Sequence, residues 1–314
     1  MKRGFITDFG ATDGPVRVMN PRAVYQEEQQ LSGDSNTPKK SARSARAWRC
    51  VRCLAFICLL PCAAAGQQAE EDDDFIDPTR PTVSESATVQ RPGVLQVEYG
   101  ADANFRADDY HSQTSAPLGL RFAVNSRLRL DLDLDTFTSQ LDDDGQRITS
   151  VGDTQLGFKA ILRDKPKERL AFAFNYTVKL PSASVEKNLG SGRIDHNLRL
   201  IVNRTLGKID LVFNASYLNV GRDDSDRRAS GAQAIFAVTR ELPRDFGVIG
   251  EVYGQSVDDP AGARGIYALG AVTYKLNPRL RFDAGARAGF GSDAPRAGVF
   301  AGLTIGVADL YRRR

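Results

Sequence analysis

The sequence predicts an all-β fold, an antiparallel transmembrane β-barrel of about twelve strands, and three observations carry that expectation. Apolar and charged residues alternate strictly along Ser126–Phe137. Segments of spanning length with the same two-residue period recur to the end of the chain. The connections between them alternate short and long in order.

In the first of these, Leu128, Leu130, Leu132 and Leu134 alternate with Arg127, Arg129, Asp131, Asp133 and Asp135. Successive side chains of a strand point to opposite faces, whereas a helix would scatter such leucines around its circumference. Taken alone, the run fits a half-buried strand of a soluble sheet as well as a barrel strand with leucines toward lipid. The remaining chain separates the two. Strands are expected near 94–105, 116–124, 127–137, 152–162, 170–180, 194–206, 209–220, 229–240, 246–256, 265–276, 280–290 and 296–308. Most approach the roughly 9–11 residues that a tilted spanning strand needs, against about five or six for a globular one.

The connections are the stronger test. Asn125-Ser126, Gly207-Lys208, Asn277-Pro278-Arg279 and Glu241–Asp245 are short. The intervening ones, including Gln140–Gly145, Pro181–Arg193 and Gly221–Arg228, are longer and polar, with one medium exception at Arg163–Arg169. Outer-membrane barrels place short turns in the periplasm and long loops outside, a parity that a soluble sandwich has no reason to keep.

The alternation then sorts residues by face. Phe172, Phe174, Tyr176 and Val178 form one lipid-side row, Leu211, Phe213 and Tyr217 another, and Leu280, Phe282 and Phe290 bound a third. The opposite row supplies candidates for the lining of the lumen: Arg129, Asp131, Asp133, Asp135, Lys179, Asp195, Arg199, Glu251, Arg281, Asp283 and Arg287.

Upstream, a basic run from Arg43 to Arg52, a short apolar core at Leu54–Leu60 and small residues at Ala63-Ala64-Ala65 read as a signal peptide over residues 43–65. Residues 1–42 are polar and aperiodic, expected to be a start codon assigned too early rather than an unusually long n-region. All four cysteines (Cys50, Cys53, Cys58 and Cys62) lie in or beside this signal. The CxxC at Cys50 and Cys53 has no second pair and no histidine to complete a metal site. Residues 66–92 are an acidic leader with Pro78, Pro81 and Pro92, open to two readings: a plug inside the lumen or a periplasmic tail. Residues 93–310 form the expected barrel. Tyr311 stands three residues short of the C-terminus, where many such barrels end on the aromatic residue read by the insertion machinery.

Several motifs carry a resemblance. They are Arg80-Pro81-Thr82-Val83-Ser84-Glu85-Ser86 with Gln90-Arg91-Pro92-Gly93 and Gln96-Val97-Glu98, then Gly152-Asp153-Thr154-Gln155-Leu156-Gly157-Phe158-Lys159, and Leu180-Pro181-Ser182. Shorter matches are Gly250-Glu251-Val252-Tyr253 and Asp283-Ala284-Gly285. On these the chain resembles, over residues 78–308, the outer-membrane "MetA-pathway of phenol degradation" family of transporters. It departs from the family's opening motif at Thr82, where Asp is usual, and at Ala87, where Pro is usual. The resemblance implies an outer-membrane barrel associated with uptake of aromatic or other hydrophobic compounds.

Composition and motifs narrow the functions further. A net charge of +3 gives no basis for nucleic-acid binding. The chain has two histidines. His196 falls on the lipid-side row with no serine two places away, and His111 lies in a loop, so a barrel lipase lacks its nucleophile and base. Asp142-Asp143-Asp144-Gly145 and Asp223-Asp224-Ser225-Asp226 lack the spacing and closing Glu of a calcium loop. The glycines sit in strands, not before helices, and no cofactor motif is present. The expectation is a non-enzymatic transporter or channel, against a structural or surface-binding barrel. Its partners would be outer-membrane lipid, periplasmic chaperones, the barrel assembly machinery and a small-molecule solute.

Overall fold

The computed structural model describes residues 75–107, 110–163, 170–185, 190–222, 227–258 and 262–311. The signal peptide, the cysteines, the first part of the leader and the Asp223–Asp226 loop lie outside these. Thirteen strands are present among the described residues: β1 (Val94–Phe105), β2 (Ser112–Asn125), β3 (Leu128–Leu141), β4 (Arg147–Ser150), β5 (Thr154–Arg163), β6 (Ala171–Leu180), β7 (Asp195–Leu206), β8 (Ile209–Gly221), β9 (Arg228–Glu241), β10 (Phe246–Gln255), β11 (Gly265–Asn277), β12 (Leu280–Phe290) and β13 (Ala297–Asp309).

Consecutive strands pair antiparallel except β4 and β5, which both pair with β3, and β1 pairs with β13 from Val94↔Asp309 to Phe105↔Ala297. The sheet therefore closes on itself. Short β4 pairs with the far end of β3 and continues the line of β5, so the ring is a closed barrel of twelve strands. Closure leaves the ring of twelve strands without an open edge, the condition for backbone to survive in lipid, and only short β4 at the loop end keeps an edge free.

The strands differ from the sequence expectation mainly at the loop end. There β2 reaches back to Ser112, β3 runs on to Leu141, and β4 is additional. Those extensions, with Gln113, Thr114, Ser139 and Gln140, are polar on both faces and so show no apolar period. The β3–β4 hairpin is turned at Asp142–Gly145, where the Asp142 side chain accepts from the Gln146 amide at 2.7 Å. An acidic, Gly-containing turn is what the Asp142–Gly145 run makes.

The two faces follow the alternation. The outward row is apolar and exposed, as at Leu200 (57 %), Val252 (53 %) and Val272 (52 %). Aromatic pairs lie near the ends, Phe246 and Tyr274 with centroids 4.9 Å apart and Tyr176 stacked on His196 at 6.1 Å. The inward row is buried and mostly polar, including Gln96, Glu98, Asn175, Asn214, Gln233 and Thr304.

Leu200, midway along β7 on the outward row, gives a direct test. Leu200→Arg should lower unfolding stability in vesicles by about 2–4 kcal/mol, the cost of a cationic side chain near the bilayer midplane. Urea titration of the refolded barrel measures it.

Candidate functional site

The leader enters the barrel. From Phe75 to Pro92 it passes along the inner face of β1, crosses the lumen and returns to Gly93 at the start of β1. Phe75, Ile76 and Val94 form an apolar cluster at the turn end. The Arg91 and Arg279 guanidinium groups lie 4.7 and 4.1 Å from the Phe75 ring centroid.

Ascending, the leader pairs with the inward row of β1. Asp77 donates its amide to Gln96 Oε1 at 2.8 Å, and Thr79 donates its amide to Glu98 Oε1 at 2.7 Å. Arg80 then reaches Asp283 at 3.1 Å across a notch made by Gly100 and Gly302, which are register partners on β1 and β13. A Cβ built on either glycine would meet the Arg80 side chain at about 2.5 Å, so that notch requires glycine.

Crossing the lumen, Val83 and Ser84 donate their amides to Glu251 of β10 at 3.0 and 2.9 Å. Glu85 donates its amide to Asn214 of β8 at 2.8 Å. Its carboxylate lies 2.8 Å from Arg129 of β3, 3.4 Å from Lys159 of β5 and 3.7 Å from Arg199 of β7. Asp77 stands 3.7 Å from both Arg129 and Lys159, and Lys159 donates to the Ser86 carbonyl at 3.1 Å. Descending, Ala87 packs with Ile161, Ala171, Ala173 and Ile201, with Val89 beside them. Arg129 and Lys159 are 0 % exposed beneath this segment. Of the two readings left open for the leader, residues 75–92 take the luminal one.

Burial would push the Glu85 carboxyl up, but Lys159, Arg129, Arg199 and Arg121 outweigh it and hold it at about 2 against an ordinary 4.5. A carboxyl held below its unfolded value contributes stability above that value and loses it as pH falls. The Glu85 contribution is thus complete above about pH 4.5 and decays between there and about pH 2.

The residues singled out by alternation all fall on the inward row. Asp131 holds Arg129 at 2.6 Å, and Asp133 holds Arg121 at 2.5 Å. Asp195 meets Lys179 at 2.6 Å, and Lys179 also faces Asp153 at 3.3 Å. Arg199 donates to the Val83 carbonyl at 2.9 Å and to Gln233 at 3.1 Å. Arg287 pairs with Asp102 and donates to Asn104 at 2.8 Å. Asp135 borders a cavity, and Arg281 buries an Nε that has no hydrogen-bond partner. Arg129, Arg199, Glu251 and Asp283 meet at the leader, whereas Arg281 and Arg287 do not touch it in any described contact.

Sequence reasoning missed Glu98, Arg121 and Lys159, although each is a charged residue flanked by apolar ones in a strand. It held Asp77, Arg80 and Glu85 only within a segment open to the luminal reading and singled out none of them, because the leader has no period to read. Among the described residues, no group of His, Cys, Asp and Glu has the geometry to hold a metal ion.

Above the leader, among the described residues, lie cavities of about 280 and 250 Å³. Both are bordered by Thr79, Thr82, Arg121, Asp133 and Gln155, so they are adjoining lobes of one vestibule on the loop side. The wall there is divided. The arc from β2 to β7 carries most of the ion pairs, with Arg80–Asp283 and Arg287–Asp102 beyond it on β12 and β1, while Ile235, Tyr253 and Tyr267 form an apolar arc with Ala294, the two tyrosine rings stacked 4.6 Å apart.

Two substitutions test the docking of the leader. Glu85→Gln removes the carboxylate shared by Arg129, Lys159 and Arg199 and leaves only Asp131 and Asp77 beside the first two, a loss of about 3–5 kcal/mol by analogy with broken buried pairs. Limited proteolysis at neutral pH should then cleave within residues 75–92 in the variant and spare the parent protein. The parent should become cleavable only as pH falls below about 4.5. Gly302→Val should release the Arg80 turn while the barrel still closes, read as faster amide exchange at Thr79–Ser84 with unchanged heat-modifiable gel mobility.

Comparison with known proteins agrees with this architecture. The chain is similar to an outer-membrane channel from Pseudomonas putida F1, at 14 % identity and a TM-score of 0.54, covering 73 % of this chain and 99 % of that one. It is also similar to the KdgM porin, at 10 % identity and a TM-score of 0.45 over 68 % of this chain and 99 % of that one. The first of these similarities concerns the fold, which is that of a bacterial outer-membrane barrel. No curated protein matches the chain in sequence. The family model described as "Putative MetA-pathway of phenol degradation" matches residues 79–306, from the luminal turn of the leader to the last strand, and the chain belongs to that family.

Proposed function

We propose that the protein is a non-enzymatic outer-membrane transporter or channel whose lumen is closed from the turn side by its own leader. One observation carries the reading: residues 75–92 cross the interior on a set of neutralised buried charges, beneath a polar vestibule. By the parity of outer-membrane barrels the short turns face the periplasm. The vestibule would then open outward, and axial passage would require the leader to move.

The substrate class we assign is aromatic or other hydrophobic small molecules, in keeping with the family description. The inward residues Arg129, Asp131, Asp133, Asp135, Lys179, Asp195, Arg199, Glu251, Arg281, Asp283 and Arg287 are proposed to line its route. Mixed charge on a narrow polar path suits small solutes better than large ones. A hydrolytic role has less support. His196 faces outward and pairs with the Tyr176 hydroxyl at 2.8 Å, and exposed His111 lies 3.8 Å from Asp143.

The test is planar-bilayer conductance of the folded chain and of a variant lacking residues 67–90. The parent should show small or rare steps, and the deletion should raise conductance several-fold. Unchanged conductance in a variant that still shows heat-modifiable mobility would refute closure by the leader. A deletion variant that is folded and silent would favour a structural barrel without transport.

A further inference from the structure

At the turn end the charged residues are sorted by face. On the arc from β5 to β9 four cations stand at the outer surface: Arg163, Arg204, Lys208 and Arg240, all exposed. Arg204 and Arg240 fall on the outward rows of β7 and β9, in line with Leu200 and Phe236. The shift at Ile161/Arg163 sets Arg163 opposite Phe172, and so on the outward side as well. Lys208 belongs to the two-residue turn between β7 and β8. The acids of this level take the other face. Asp210 falls on the inward row of β8, where it accepts from the Thr205 hydroxyl, and Glu241 falls on the inward row of β9. Among the described residues, none of the four cations has a carboxylate at ion-pair distance or a side-chain hydrogen bond.

The cations are also close together. Arg204 is opposite Leu211 and Leu211 opposite Val238, while Leu206 is opposite Ile209 and Ile209 opposite Arg240. Arg240 therefore lies two strands across and two residues along from Arg204, ~12 Å at the backbone by strand spacing and rise. Arginine side chains converge over such a gap. Toward the bilayer centre, Leu211 and the register partners Phe213 and Phe236 offer an apolar surface, both rings being exposed. The facing arc differs. There β10, β11 and β12 carry Phe246, Tyr274, Leu276 and Phe282 at the same level, and their outward rows contain no cation.

Cationic side chains at the end of a spanning element reach the lipid headgroups with their charge and lay their stems on apolar surface. Four like charges on one surface repel one another unless a counter-charge sits among them. A phosphodiester supplies that charge, and guanidinium groups match its oxygens in pairs. A zwitterionic headgroup brings its own ammonium and leaves the excess uncompensated.

We infer that the outer face of β7–β9 at the turn end is a binding site for one anionic glycerophospholipid. Arg204 and Arg240 hold its phosphodiester, Lys208 lies beside the headgroup, and the acyl chains run along Leu211, Phe213 and Phe236. By the parity of outer-membrane barrels the leaflet concerned is the periplasmic one. On the inner face of the same strands Arg199 and Asn214 hold Glu85, so the lipid backs onto the anchorage of the leader. The inference does not depend on transport.

The test reads lipid composition at the site itself. The single tryptophan of the chain, Trp48, is replaced (Trp48→Phe), and one tryptophan is placed outward between the two arginines, Leu206→Trp, or outward on the facing arc, Leu276→Trp. Each folded full-length chain is reconstituted in phosphatidylcholine vesicles holding a fixed minor share of phosphatidylglycerol. Either that share or an equal share of the phosphatidylcholine is brominated on its acyl chains. Bromine quenches at short range, so the ratio of the two quenching strengths is the local enrichment of the anionic lipid. The site predicts an enrichment of at least about threefold at position 206 and near one at 276. Arg204→Gln with Arg240→Gln should bring position 206 to the level of 276. Arg127→Gln with Arg296→Gln, which removes as much charge elsewhere, should leave it unchanged. Enrichment near one at 206, equal enrichment at the two positions, or enrichment that the Arg204 and Arg240 replacements do not lower would overturn the site. Should that pair fail to give heat-modifiable mobility, salt decides on the parent: enrichment at 206 must fall as salt screens the arginines, and a salt-independent value would refute the assignment.

Discussion

Three buried cations with one carboxylate among them organise this molecule. Arg129, Lys159 and Arg199 project inward from β3, β5 and β7, and Glu85 of the leader lies 2.8–3.7 Å from all three. Buried charge is tolerated only when paired and hydrogen-bonded, because desolvation of each ion costs several kcal/mol. The barrel supplies part of the compensation through Asp131, and the leader supplies Glu85 and Asp77. The leader is therefore the counter-charge of the wall as well as an obstruction. In the proposed opening, water would enter and solvate the cations that Glu85 neutralises. A closed state held by apolar packing would expose hydrocarbon on opening. A closed state held mainly by ion pairs exposes groups that water accepts.

Fitting a peptide segment inside twelve strands also requires room. Twelve strands lie between the roughly eight of a side-chain-filled barrel and the roughly sixteen of a water-filled porin, so the lumen is narrow. The wall makes space where the leader runs closest. Gly100 and Gly302 face each other beneath Arg80, and Gly306 lies beneath Phe75. The Gly100–Gly302 pair continues to Asp283 on β12, the register partner of Gly302, so three adjacent strands present a small, small, acidic row to a single guanidinium. Packing and electrostatics select the same position of the leader from two directions.

What the sequence disclosed and what it hid follow from where a two-residue period exists. Leu128–Leu134 and the acids and bases between them are legible because lipid on one side and polar interior on the other impose opposite demands on successive residues. The same logic reaches Arg121 between Leu120 and Phe122, and Lys159 between Phe158 and Ala160. The period disappears at Ser112–Ser115 and at Arg147–Ser150, where both faces meet water, and with it goes any sign that the strands continue. It is also absent from residues 75–92, whose partners come from β1, β3, β5, β7, β8, β10 and β12. No spacing within a segment encodes contacts with that many separate strands. The acidic, proline-bearing composition marked the leader as unusual without saying which side of the wall it occupies.

The interior is unequal around its circumference, and this bears on where a solute can travel. Ile235, Tyr253 and Tyr267 pack against Val83 of the leader and Ala294 of a loop, so the apolar arc is already covered. The open volume lies instead against the charged arc, where Arg121 and Asp133 border both lobes of the vestibule. The space open to a solute is thus bordered by ion pairs that are largely satisfied by one another. Such a surface binds weakly, and weak binding suits passage, since a solute must leave as readily as it enters. Arg199 and Glu85 border that volume and also hold the leader, so a change to this part of the wall acts on the cavity and on the leader together.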